Sequence, residues 1–214
     1  MKLKFAFLLS MLSAPAFAEG LSIKPEIIYS QSQIQVGNEK ITRSNGESFE
    51  YDAANTKFLE GYGGALNLEY ALTDRVHVGS GVGYLQYDKP GKSPKFKDLF
   101  LKSQLSYDFV KAGDFSGYGL TGVSYHMLDL DSEDGADYRV QTGDVQVWNY
   151  DLGVGGRLQA SEKVSLGLEY RVTNTFDSDR LRSKLHLPSE EIRSEMTKVK
   201  LNTSEVIASL VYAL

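Results

Sequence analysis

The chain of 214 residues contains no cysteine. Disulfides, thiolate nucleophiles and Cys-ligated zinc or iron–sulfur centres are therefore excluded. After residue 18, no segment holds the ~18 consecutive apolar residues that a membrane-spanning helix requires. Basic residues are outnumbered, 23 Lys and Arg against 28 Asp and Glu, for a formal charge of −5. That balance argues against a nucleic-acid partner. What the chain does have is 20 Gly, 13 Tyr and 10 Phe, a composition suited to strands rich in aromatics and small side chains.

The first residues read as a secretory signal. Lys2 and Lys4 form a positive start, Phe5 to Leu12 an apolar stretch, and Ala16-Phe17-Ala18 a cleavage site before Glu19. Residues 1–18 are read as the signal peptide and 19–214 as one domain. Cleavage removes two lysines and no acids, leaving 21 bases against 28 acids, a charge of −7.

The rest alternates. Val164 to Val172 places Val164, Leu166, Leu168, Tyr170 and Val172 against Ser165, Gly167, Glu169 and Arg171. Successive side chains of a strand point to opposite faces, so this segment has one apolar and one polar face. Seven further segments carry enough of the same pattern to count as strands: about 21–36, then 58–72, 76–87, 96–109, 115–127, 145–158 and about 199–214. The segment 115–127 starts with Tyr118 and Leu120 on the apolar face and changes phase at Gly122 to Val123, Tyr125 and Met127, which predicts a β-bulge there. Short turns at 73–75, 110–114 and 159–163 alternate with longer, mostly polar connections at 37–57, 88–95, 128–144 and 174–198. Short periplasmic turns, long extracellular loops and an even strand count mark transmembrane barrels. The expected fold is all-β: an eight-stranded antiparallel up-and-down transmembrane β-barrel.

A soluble ligand carrier also has eight alternating strands, with its apolar face inward. Three features favour the apolar face outward. The polar face mixes small residues with both signs of charge, which suits a narrow lumen. The last strand runs to the final residue. Aromatics gather near the strand ends, with Tyr70, Tyr107, Phe109, Tyr118 and Tyr212 at the turn end and Tyr84 and Trp148 toward the loop end, as interfacial belts do. Inside, Glu69, Lys102, Asp151, Arg157, Glu169 and Arg171 are expected to form ion pairs, because buried charges are costly unless paired. Centring the 159–163 turn near Ser161 pairs residues whose numbers sum to 322, which sets Asp151 opposite Arg171 and predicts an ion pair between them.

The segments Leu68-Glu69-Tyr70-Ala71-Leu72-Thr73-Asp74-Arg75 and Leu166 to Asn174 resemble the strand-and-turn signatures of OmpA-like barrels. That group holds the OmpA transmembrane domain and the OmpX/Ail and opacity-type proteins. The resemblance implies an eight-stranded barrel in a Gram-negative outer membrane, inserted by the barrel-assembly machinery. The chain keeps Tyr212 near its end but finishes on Leu214 rather than on the family's usual aromatic. The resemblance also brings lipid A deacylase barrels into view, which use a Ser–His pair on a strand.

Candidate sites are few. Ser124 and His126 stand two apart on one strand, but no orienting carboxylate follows them, and His126 reads as an ordinary rim residue. His77 and His186 lack metal-ligand spacing. The acidic run 129–137 departs from a calcium loop, with Gly135 one place late and Val140 where the closing Glu belongs. In the segment Arg180 to Lys200, Ser189-Glu190-Glu191-Ile192 reads as a short helix start, and Arg180, Arg182 and Lys184 are placed to meet lipopolysaccharide phosphates. No catalytic residue, cofactor or metal is read from the chain. The expected role is non-enzymatic surface interaction, adhesion or resistance to host defences, through extracellular loops. The expected partners are outer-membrane lipids, lipopolysaccharide and a host or cell-surface ligand; a small pore is the alternative.

Overall fold

The computed structural model describes residues 20–36, 39–43, 45–51, 55–89, 92–130, 139–142, 145–178, 181–187, 190–196 and 199–214. Every regular element in them is a strand: β1 (Leu21–Val36), β2 (Glu39–Thr42), β3 (Ser48–Tyr51), β4 (Asn55–Ala71), β5 (Val76–Lys89), β6 (Lys92–Ala112), β7 (Phe115–Leu130), β8 (Arg139–Thr142), β9 (Val145–Gln159), β10 (Val164–Ser178), β11 (Leu181–Leu187), β12 (Glu190–Met196) and β13 (Val199–Ala213). Eight of them close antiparallel in the order β1-β13-β10-β9-β7-β6-β5-β4, with β4 pairing back onto β1. Closure satisfies the backbone of every barrel strand within the sheet, the condition hydrocarbon imposes because it offers no hydrogen bonds.

The period-two pattern sorts the side chains. Ile27, Leu66, Val154 and Leu168 point outward and are 75%, 52%, 58% and 62% exposed. Lys24, Glu69, Asn149 and Arg171 point inward and are buried. The outward apolar band runs along β4 from Tyr62 to Leu72, one residue past the strand's end, which at the usual rise and tilt spans about 25 Å, the height of a bilayer's apolar band. An apolar girdle of this extent is soluble only in lipid.

The register of β9 and β10 differs from the sequence expectation. Paired numbers sum to 324, so Arg171 faces Gly153, Arg157 faces Gly167 and Asp151 faces Thr173. The turn closes between Ser161 and Val164, one residue later than a centre at Ser161. Each bulky arginine thereby lies opposite a glycine, which leaves room for it in a narrow lumen.

Strand β7 corrects two further expectations. It keeps a single phase, with Tyr118, Leu120, Ser124, His126 and Leu128 all buried on the inner side. The register shift sits instead in β6, between Asp108 and Val110, where Phe109 and Val110 are both exposed. Tyr118 is therefore not part of the outer aromatic belt. It fits inside because Gly155 faces it: a Cβ there would lie 2.5 Å from the Tyr118 ring and 2.9 Å from the Leu168 carbonyl oxygen.

The connections at the end opposite the short turns are more ordered than polar loops. Strands β3-β2-β12-β11-β8 form a second sheet, drawn from the β1–β4, β7–β9 and β10–β13 connections. Glu190–Met196 is a strand paired with β11 and β2, not a helix start. The long β5–β6 loop expected over 88–95 is largely strand, because β5 runs to Lys89 and β6 begins at Lys92. The signal segment 1–18, the acidic run from 131 to 137 and Arg180 lie outside the described residues, as do the side chains of Arg182, Lys184 and His186.

Candidate functional site

The lumen has two storeys. The storey nearer the short turns is ionic. Lys24 Nζ lies 3.2 Å from Glu26, 3.4 Å from Glu69 and 3.4 Å from Glu169. Arg157 Nη2 donates to both Glu69 oxygens at 3.0 and 2.8 Å. Arg171 donates to Glu169 from Nε at 3.0 Å and to the Gln104 side-chain carbonyl at 3.1 Å. Lys102 pairs with Glu26. Tyr118 donates its hydroxyl hydrogen to Glu169 at 3.0 Å, and its ring lies under the Arg157 guanidinium at 4.6 Å. At the periplasmic mouth His77 and Asp108 approach to 3.4 Å.

Five of the six interior charges read from the sequence thus enter one network. Asp151 does not join it through Arg171. It accepts a hydrogen bond from Ser124 at 3.0 Å, and no ion pair joins it to Arg171 among the described residues. The hub itself, Lys24 with Glu26, was missed because Pro25 made the first strand look irregular. Its signal was available: Ser22, Lys24 and Glu26 alternate with Leu21, Ile23, Ile27 and Tyr29.

Above the ions the lumen turns apolar. Leu59, Leu85, Tyr87, Phe100, Leu128, Val145, Val147 and Leu201 pack into one cluster with Ile28 and Ile207. Leu85, Tyr87, Leu128, Val145 and Val147 have no exposed surface. Eight strands leave a lumen that side chains just fill, and these side chains fill it.

Between the storeys lies a constellation that resembles hydrolase chemistry. His126 Nδ1 is 2.8 Å from Asp98 Oδ2, and His126 Nε2 is 3.0 Å from Ser124 Oγ. The orienting carboxylate that β7 does not supply comes from β6, where Phe100 faces His126 and Asp98 is two residues away on the same inner face. Sequence spacing could not show it, because cross-strand register brings it in. Two observations set this arrangement apart from a working triad. The single hydroxyl hydrogen of Ser124 goes to Asp151 Oδ1, so Oγ is not handing it to the imidazole. Ser124 and His126 are 4% and 3% exposed, with Phe100 stacked on the imidazole at 5.4 Å between ring centroids. Among the described residues no group of His, Asp and Glu is arranged to hold a metal ion.

The outer wall carries the belts. Tyr70, Tyr107, Phe109 and Tyr212 ring the turn end, with Tyr107 and Phe109 49% and 55% exposed. At the loop end the outward aromatics include Tyr29, Tyr62, Tyr84, Tyr125 and Trp148, with Phe58 on β4 and Phe176 on β10 beyond them. Tyr29 packs on Tyr62 and Tyr125 on Trp148, at 5.2 and 4.8 Å.

A closed eight-stranded barrel with an ionic core, an apolar girdle and two aromatic belts defines the class: a transmembrane outer-membrane barrel. The family model described as the outer membrane protein beta-barrel domain matches residues 5–212, and the chain belongs to this family. It is an outer-membrane protein of the Gram-negative type. Among solved structures it is similar to Neisserial surface protein A, with a TM-score of 0.54 and 16% identity over 92% of this chain and 100% of that one. It is also similar to the outer membrane protein OprG of Pseudomonas aeruginosa, with a TM-score of 0.56 and 16% identity over 92% and 96%. At these identities the likeness is one of fold. No curated protein sequence matches.

Proposed function

We propose that this barrel is a non-enzymatic surface protein that engages a host or cell-surface ligand with its extracellular end. The observation that carries this reading is the second sheet. Three of the four connections at that end contribute strands to it, which holds them as one surface rather than as separate loops. The lumen supports the same reading from the other side, since salt bridges and an apolar storey occupy the space a solute would need. Residues 1–18 act in this scheme as the export signal. The barrel-assembly machinery inserts the chain, and lipopolysaccharide surrounds its upper wall.

The test is deletion of residues 178–195, which removes β11 and most of β12, in cells that display the barrel. Cell binding is expected to fall to the level of cells lacking the protein. Undiminished binding after deletion of each long connection in turn would overturn the reading. A small pore is the second reading, favoured by the charges lining the periplasmic half. Planar-bilayer recordings separate the two: silent membranes at high protein load favour the surface role, and discrete conductance steps favour the pore.

A further inference from the structure

Four side chains from three strands form a line at the boundary between the two storeys. Asp98 comes from β6, His126 and Ser124 from β7, and Asp151 from β9. Three contacts join them: His126 Nδ1 with Asp98 Oδ2 at 2.8 Å, His126 Nε2 with Ser124 Oγ at 3.0 Å, and Ser124 Oγ with Asp151 Oδ1 at 3.0 Å. Each has the length of a hydrogen bond, and each needs a hydrogen of its own. A neutral imidazole brings one and the serine hydroxyl brings one, whereas ionised aspartates bring none. Three links and two hydrogens do not balance.

We infer that this line is a proton-binding site: it holds one proton beyond those of a neutral histidine and a serine, and that proton latches β6, β7 and β9 together inside the lumen. The proton sits on His126, because imidazole is a much stronger base than a carboxylate. With both ring nitrogens donating, the imidazolium is also the counter-ion of Asp98, which is wholly buried and has no Lys or Arg ion pair among the described residues. The neighbouring cations are committed elsewhere. Lys102 stands opposite Ser124 on β6 but turns to Glu26, and Arg171 on β10 is taken by Glu169 and Gln104. Glu205 on β13 brings a third carboxylate to the imidazole, and Tyr87 on β5 faces Asp98 and Glu205. Without the proton, one link is left with two lone pairs face to face, and Asp98 and Asp151 lose the cation between them. Phe100, stacked on the imidazole, belongs to the apolar cluster, so the loosening reaches the floor of the upper storey. The folded barrel binds this proton and unfolding releases it, so the latch is closed while the proton stays and is lost as pH rises.

The inference stands on the lumen and not on the surface-ligand reading, so either can fail alone. The experiment uses the full-length barrel in micelles, untagged and carrying His77→Gln and His186→Gln, which leaves His126 as its one imidazole. Nitrogen-15 NMR reads the ring, and heat-dependent gel migration confirms that each variant is folded. At about pH 7.5, where an ordinary imidazole is neutral, both ring nitrogens of His126 are expected to carry hydrogen. In Asp151→Asn the new amide donates to Ser124 and Ser124 donates to Nε2. Every link then has its hydrogen without the extra proton, so the ring is expected to be neutral. Glu205→Gln removes the same charge but no link and should leave both hydrogens in place. From about pH 7 to pH 8 the unfolding constant in urea should rise up to about tenfold more for the parent than for Asp151→Asn. A neutral ring in the folded parent overturns the site. Loss of the hydrogen in Glu205→Gln as readily as in Asp151→Asn overturns the count of links, and parallel pH profiles overturn the latch.

Discussion

One nitrogen of Arg157 donates to both carboxylate oxygens of Glu69, at 3.0 and 2.8 Å, across 88 positions of chain. The pair ties β9 to β4 through the middle of the lumen and shares Glu69 with Lys24. Removing Arg157 takes the bidentate partner from buried Glu69, which keeps only Lys24 and Gln104 at 3.4 and 3.3 Å among the described residues. Arg157→Leu is expected to cost about 3–5 kcal/mol, read by urea unfolding in micelles. The double variant Glu69→Leu/Arg157→Leu should recover part of that loss. A single variant as stable as the parent would mean that the network does not hold the barrel together.

Gly61 makes room for the apolar storey. A Cβ at this position would lie 2.5 Å from two atoms of the Tyr87 ring, which is wholly buried. Gly61→Ala is expected to destabilise by about 1–3 kcal/mol through overpacking. Tyr87→Leu in the same chain should reverse most of the effect, because all three of the nearest atoms belong to Tyr87. Additive losses in the double variant would show that the collision is not the cause.

The outer wall gives a depth test. Leu168 lies at the middle of the outward apolar run Val164–Val172 of β10 and is 62% exposed, while Leu158 lies beside the periplasmic turn and is 52% exposed. In lipid, Leu168→Arg is expected to cost about 2–4 kcal/mol and Leu158→Arg about 0–1. Two equal, small costs would place water rather than hydrocarbon against β10.

Ser124, His126 and Asp98 have triad distances without triad roles. A fluorophosphonate probe is expected to leave the intact mass of the folded barrel unchanged. A covalent adduct mapped to Ser124 would turn this protein into a serine hydrolase and remove the surface reading. Ser124→Ala should lower stability by about 1–3 kcal/mol, because it leaves the Asp151 carboxylate and the imidazole without a shared partner.

Much of this was legible in the chain because a strand's period of two does not depend on its neighbours. Leu166 and Leu168 face out and Glu169 and Arg171 face in whatever pairs with them. Tyr118 was misplaced because it is apolar enough for a belt and polar enough for a lumen; the glycine opposite it, on another strand, decided. Asp98 stayed invisible beside His126 for the same reason, as its two residues of separation from the facing position exist only across the β6–β7 ladder. The one-residue error in the β9–β10 turn shows how local the information is: it displaced every predicted cross-strand partner while leaving both faces correct.

By itself the sequence determined the number of barrel strands, the face given to lipid and the compartment, because hydrophobic alternation is a demand the solvent makes on each strand separately. Tertiary structure alone decided which buried charges meet, that an apolar storey lies above them, and that the extracellular connections join into a sheet. Those outcomes depend on register between strands far apart in the chain, and register is set by how side chains from all eight fit one narrow lumen.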